Sequence, residues 1–176
     1  MVTPDYGLPG CGHGEYNSVF VVRRDTGRQD LKAFQGARFA LNSFNSQSGW
    51  AGPIIYAQEM GVTFGSFTKT GAHLASAQAV AGGDADLACL DALSWHYIKS
   101  DPGMGGALTV IDRTPPSPAT PYITSLGQDA GVIRQAISDA IDTLSENDRS
   151  ALHLKGIVWI APAEYAVVPT PPLPQG

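Results

Sequence analysis

Cysteine is scarce in this chain: 176 residues hold only Cys11 and Cys89, too few for a disulfide framework. One bridge is the most they could form, and two free thiols are the expected state. Charge is also sparse, at 15% of residues, and the 11 Lys and Arg are outnumbered by 16 Asp and Glu. With a formal net charge of −5 and no basic run, the electrostatic footprint of a nucleic-acid binder is missing, so no nucleic-acid partner is expected. No apolar stretch approaches the roughly 20 residues that a transmembrane helix needs. The amino end, MVTPDYGLPGCGHGEYN, has neither a basic n-region nor an apolar h-region, so no signal peptide is read there. P-loop, G-x-G-x-x-G and G-x-S-x-G patterns are absent, which removes the common nucleotide and hydrolase fingerprints. Cys11-Gly12-His13 is half of a metal site without a second pair to complete it. No cofactor and no metal are expected.

What is present supports a folded chain. Hydrophobic residues make up 43%, enough for a core in one ordinary domain or two small lobes. The 20 glycines and 13 prolines are clustered, and the clusters divide the chain. Pro4 to Asn17 is dense in turn residues and reads as an extended connector. Val19–Val22 is a β-branched apolar run of the buried-strand kind. Strands are also expected at Arg38–Asn42, Phe64–Thr70, Ala85–Leu90 and Ala107–Asp112. Helices are expected at Pro53–Met60, at His73–Ala81 before Gly82-Gly83, and at Asp91–Ile98 with Asp91 as cap. Strands alternating with helices imply an α/β fold with a mostly parallel sheet.

Four prolines in the nine residues Arg113–Pro121 read as a stiff extended crossing. Beyond it Val132, Ile133, Ala136, Ile137, Ala140, Ile141 and Leu144 keep helical spacing, with Asp129 near the start. Ser145 with Asp148 resembles a capping box, Gly156–Ile160 a strand, and Pro169–Pro174 a polyproline-like tail. Residues 16–113 therefore read as one complete α/β lobe, and residues 1–15 with 114–176 as the remainder of a second lobe and its crossing strands. The apolar face Val132–Leu144 could pair with a second copy, giving a homodimer.

Three stretches could carry chemistry. Asn45-Ser46-Gln47-Ser48-Gly49 lies between a strand and a helix, offering hydroxyls and unpaired helix N–H groups to an anion. Simple N-capping by Ser48 explains it equally well. Thr70-Gly71-Ala72-His73 repeats the arrangement, and Asp91 is a third strand end. Each alone has a bland reading, but all fall at strand carboxyl ends, where ligands collect in open α/β sheets. Ser48, His73 and Asp91 could also be read as a hydrolase triad, a reading that the missing elbow opposes. Trp50, directly after the serine turn, could form an apolar wall.

Taken in order, Tyr16-Asn17-Ser18-Val19, Asn45–Gly49, Thr70–His73, the Gly-Asp-Ala-Asp-Leu-Ala run before Asp91 and the return Pro115–Pro121 resemble a known family. They are similar to the phosphate, phosphite and phosphonate substrate-binding proteins of ABC transporters, the phosphonate-binding-protein-like family with a type II periplasmic binding fold. The resemblance implies an α/β architecture of one complete lobe plus part of a second, since the family's opening strand–helix units are missing before Val2. It implies a solute-binding component with no catalytic residue. Its ligand would be a small oxyanion such as a phosphonate, held in an interlobe cleft and passed to an ABC permease. Carried over by residue, Ser46, Gln47 and Ser48 would hold the oxyanion, with N–H groups around Gly49. Thr70 and His73 would add to it, Tyr16 would approach from the crossing strand, and Asp91 would take a ligand proton or orient His73. Leu93 and Thr120 stand where amine-gripping relatives have acids, which argues against an aminoalkylphosphonate. The family implies the periplasm, whereas the absent signal peptide leaves a cytosolic sensor of the same fold as the alternative, and a clamp-fold enzyme ranks behind both. Charge-assisted contacts contribute roughly 1.5–3 kcal/mol each against an association cost of at least about 4 kcal/mol. One lobe alone should therefore bind no tighter than high micromolar.

Overall fold

In the computed structural model, which describes residues 2–166, 168 and 170–173, the chain divides into two compact units. One comprises Met1–Tyr16 and Pro116–Val168, the other Asn17–Pro115 with Pro169–Gly176. In chain order, β1 (Val2–Asp5) and β2 (Glu15–Tyr16) belong to the first unit. The second unit runs β3 (Ser18–Arg23), β4 (Arg38–Leu41), α1 (Gly52–Glu59), β5 (Ser66–Lys69) and α2 (His73–Gly82). It continues through β6 (Leu87–Asp91), α3 (Ala92–Ile98), α4 (Pro102–Ala107) and β7 (Leu108–Arg113). The first unit resumes with β8 (Ser117–Pro118), α5 (Ala130–Asp142), α6 (Glu146–Leu152), β9 (Gly156–Trp159) and α7 (Pro162–Ala166).

The second unit is built on a five-stranded sheet of order β5-β4-β6-β3-β7. β4 runs parallel to β5 and β6, while β3 is antiparallel to both β6 and β7. The expected mostly parallel sheet thus contains one reversed strand. β3 is the strand by which the chain enters the unit, and Ser18 and Thr114 close its two ends against each other through paired hydrogen bonds of 2.9 and 3.0 Å.

Strand alternation sorts side chains onto two faces. Phe20, Val22, Phe39, Leu41, Leu87 and Cys89 join Ile54 and Ala57 of α1 in one hydrophobic core. The intervening Val19, Val21, Ala40, Ala88 and Leu90 are also buried, on the face where α2 packs against β6, β3 and β4. Because both faces are covered, the strands read as unbroken apolar runs. Phe39 stacks on Phe64 with ring centroids 4.6 Å apart. Cys89 is a fully buried thiol whose pKa burial pushes well up, and neither Cys89 nor Cys11 is in a disulfide.

Several elements differ from expectation. β5 starts at Ser66 rather than Phe64, which packs on Phe39 from the preceding loop. α4 arises in PGMGGA, a sequence poor in helix formers. Asp101 caps it by accepting from the N–H groups of Gly103 and Met104 at 2.9 and 3.0 Å. A Cβ on Gly105 would sit 2.1 Å from the Lys99 carbonyl oxygen, so only glycine permits this close turn. The N-terminal connector carries two strands: β1 pairs antiparallel with β9, and β2 with β8 inside the proline-rich crossing.

In the first unit α5 starts where Asp129 accepts from Gly131 and Val132 N–H, and Ser145 caps α6 through the Asp148 N–H at 3.1 Å. An apolar groove of about 730 Å³ runs beside α5, lined by Tyr122, Ile123, Ile133, Ile137 and Trp159 among others. Of the polyproline-like tail, Pro169 and Pro174 lie outside the described residues.

Candidate functional site

β4, β5 and β6 run in one direction, so their carboxyl ends share one edge of the sheet. The loop after β4 enters α1 through a wide turn, Gln47–Ala51, in which Ala51 N–H donates to Ser46 O at 3.0 Å. This five-residue spacing is π-helical, a form concentrated at functional sites. The cap is Ser46, not Ser48: its Oγ accepts from Gly49 N–H at 3.0 Å. The Gly49 N–H expected for an anion is therefore already engaged, and the donors without an intrahelical acceptor are those of Gln47 and Ser48. Gly49 itself is needed for space, since a Cβ there would lie 2.1 Å from Asn42 Oδ1.

With Ser46 committed to the cap, Ser48 is free to face the next two strand ends. Its Oγ lies 3.0 Å from His73 Nε2 and 3.5 Å from Ser46 Oγ. His73 opens α2, and the same Nε2 lies 3.2 Å from Asp91 Oδ2. Asp91 holds its position because its other oxygen accepts from Ser94 N–H at 2.7 Å, capping α3. Three strand ends thus bring Ser46, Ser48, His73 and Asp91 into one hydrogen-bonded cluster.

The cluster is not a triad. A nucleophile–base relay uses both imidazole nitrogens, one for the serine and one for the acid. Here serine and carboxylate share Nε2, while Nδ1 is buried without a partner. Burial lowers the His73 pKa, opposed by the Asp91 charge, so the ring is neutral at neutral pH and the carboxylate draws the proton to Nε2. Ser48 Oγ can then accept from Nε2–H and keep its own proton for an anion.

Thr70 plays a different part. Its hydroxyl lies 3.1 Å from Leu41 O, 3.1 Å from Ala72 O and 2.7 Å from Ser76 Oγ. It fixes the turn that delivers His73. Tyr16 ends β2 in the other unit, paired with Ser117. Trp50 is not a wall but core, buried edge-on against Phe44 and Phe67 at 4.9 and 5.0 Å. Asn42 was not singled out by its sequence, yet its amide reaches 3.5 Å from His73 Nε2 and its Oδ1 accepts from Ser43 N–H. The available signal was an asparagine directly after an apolar strand. His13 of the metal half-site pairs instead with Asp5 at 2.6 Å, and among the described residues no cluster of metal-ligating side chains occurs.

The His73 shift sets a pH dependence. Above the unperturbed pKa of 6.5 both folded and unfolded chains hold the ring neutral. As pH falls below it, the unfolded chain takes the proton first and stability drops. His13 has the opposite sign, because Asp5 raises its pKa, and its contribution is lost as pH rises. His73→Gln is expected to flatten the acid limb below pH 6.5 in denaturant melts and to leave the neutral limb unchanged. An acid limb identical to wild type would contradict the buried neutral ring.

Over residues 8–167 the sequence matches the family described as periplasmic phosphonate substrate-binding proteins of ABC transporters. No curated protein sequence matches. Among solved structures, the chain is similar to PhnD1 from Prochlorococcus marinus in complex with methylphosphonate. That similarity has a TM-score of 0.75 and 22% identity, covering 86% of this chain and 64% of that one. A binding-protein component of an ABC phosphonate transporter from Pseudomonas aeruginosa gives 0.72 at 18% identity, covering 89% and 55%. XAC2383 from Xanthomonas citri, bound to chloride, gives 0.70 at 19% identity, covering 96% and 66%. The chain therefore spans 55% to 66% of the length of these proteins. At such identities the likeness establishes the fold, the α/β type II periplasmic-binding architecture.

Proposed function

Because this chain belongs to the periplasmic phosphonate-binding family of ABC transporters, a family of solute-binding proteins and not of enzymes, we propose that it binds a phosphonate, phosphite, phosphate or similar small oxyanion. In this reading the Ser48 and Ser46 hydroxyls and the Gln47 and Ser48 N–H groups hold the oxygens, His73 orients the Ser48 hydroxyl through its Nε2–H, and Thr70 positions His73. The observation that carries the proposal is the contact of Ser48 Oγ with His73 Nε2 at 3.0 Å, which turns the serine proton outward. Gly49 serves by its lack of a side chain. The periplasm is the compartment of the family, and a permease is the partner that would receive the ligand. Among the described residues no helix is long and apolar enough to cross a membrane.

Asp91 sharpens the ligand class. A carboxylate at this edge repels a fully ionised anion and accepts from one that still carries a proton. Hydrogen phosphonate, hydrogen phosphite and hydrogen phosphate qualify; sulfate does not. Thermal unfolding against methylphosphonate, phosphite, phosphate and sulfate tests this. A ligand at a hundred times its Kd adds about 2.7 kcal/mol of stability. The expected result is a shift with one or more phosphorus oxyanions and none with sulfate at equal concentration. Equal shifts for all four would overturn the role of Asp91, and no shift up to tens of millimolar would overturn binding by this chain.

A further inference from the structure

The opposite edge of the same sheet carries a second concentration of anion-binding chemistry. β4 begins with Arg38 and β3 ends with Arg23, and these strands flank the entry of β6 next to Asp86. The segment linking β3 to β4 passes over this end and contributes Thr26, Arg28 and Phe34. Together with Gly83, Ala85 and Asp86 they enclose a pocket of about 170 Å³. Strand β4 separates it from the serine turn by roughly 10 Å of extended chain.

The three guanidinium groups are not equivalent. Arg38 is spent on the fold: Nε and Nη2 grip both oxygens of Asp86 at 3.2 and 2.8 Å, and Nη1 and Nη2 reach the carbonyls of Asp84 and Gly83 at 3.1 and 3.0 Å. The Asp86 carboxylate is thereby neutralised, its pKa lowered chiefly by Arg38. Arg23 gives Nε to the exposed Asp25 at 3.1 Å. Its Nη1 lies 3.2 Å from where a Cβ on Gly83 would be, so the missing side chain makes room for the guanidinium. Arg28 has neither an ion pair nor a hydrogen bond among the described residues. It lies against the Phe34 ring, 5.2 Å below Cζ, and attracts the Asp86 carboxylate that Arg38 already grips without bonding to it; Phe34 is buried in the core. An aromatic face holds the cation in place without consuming its donors.

We propose that this pocket is a second anion site, taking the phosphate group of inorganic phosphate or of a small soluble phosphate monoester. Arg28 supplies the unmatched charge and a full guanidinium fork. The terminal nitrogens of Arg23 supply a second fork, and the Thr26 hydroxyl a neutral donor. Guanidinium forks match phosphate oxygens in pairs, and the volume admits a phosphate group while leaving any attached moiety in solvent. The charges lining it are Arg23, Arg28, Arg38 and Asp86, three positive against one negative, and Asp25 and Asp84 beside them bring the wider patch to zero, so the attraction is confined to the pocket and falls with added salt.

Titration of the intact chain with inorganic phosphate and with glycerol 3-phosphate, read by the NMR signals of arginine Nε–H groups and backbone amides, tests the proposal site by site. Saturable shifts of Arg23 and Arg28 are expected, with the apparent Kd raised at least tenfold by Arg28→Ala, partly restored by Arg28→Lys, and unchanged by Ser48→Ala. Shifts confined to Ser46–Gly49, or Arg28→Ala binding like wild type at this end of the sheet, would overturn it. Neither result alters the reading of the serine turn, whose amides report separately.

Discussion

Ser48→Ala is expected to weaken methylphosphonate binding by roughly 10- to 150-fold, the equivalent of one charge-assisted hydrogen bond of about 1.5–3 kcal/mol. The fold should survive the change. Ser48 Oγ touches His73 Nε2 and, more distantly, Ser46 Oγ, and neither contact closes the helix start. His73 keeps Asp91 as its partner. The neighbouring Ser46→Ala is predicted to differ in kind, because Ser46 Oγ caps Gly49 N–H and its loss costs stability as well as a ligand contact. Calorimetric titration alongside an unfolding midpoint separates the two. An affinity unchanged in Ser48→Ala would remove the serine from the site.

Gly49→Ala should be the more damaging substitution although it adds a single methyl group. That methyl would stand 2.1 Å from Asn42 Oδ1 and 3.3 Å from His73 Cε1. Asn42 cannot move freely, since Oδ1 accepts from Ser43 N–H at 2.9 Å. Overpacking of this kind costs about 1–3 kcal/mol, and the displacement is directed at His73. Denaturant melts should show the loss, and methylphosphonate binding should fall below detection. A variant with wild-type stability and affinity would mean that Asn42 and the serine turn do not pack as described.

How much of this was legible depends on how local the cause is. Val19–Val22 and Leu87–Leu90 announce themselves because strands covered on both faces must be apolar throughout. The end of α2 is equally local: Gly83 adopts φ +84°, the left-handed cap that glycine favours. Asp91 as a helix cap, the serine turn and the family resemblance were all readable for the same reason. The missed features need partners distant in sequence. β1 is a strand because Val158 and Trp159 lie beside Thr3 and Val2, and nothing in VTPD indicates it. The reversed direction of β3 is likewise a property of the whole sheet. Within the site, the choice of Ser46 over Ser48 as cap follows from the wide turn at Gln47–Ala51, which composition does not encode. Trp50 looked like a pocket wall from its position, yet the space between Phe44 and Phe67 takes it into the core.

The central claim is that the turn after β4 holds the oxyanion through Ser48, supported by His73 and Asp91. Backbone amide shifts during a methylphosphonate titration test it most directly, because each residue reports its own position. The largest saturable changes are expected at Gln47, Ser48 and Gly49, smaller ones at His73 and Asp91, all moving together to roughly 10- to 150-fold higher methylphosphonate in Ser48→Ala. Saturable shifts confined to the apolar groove beside α5, with the serine turn silent, would contradict it.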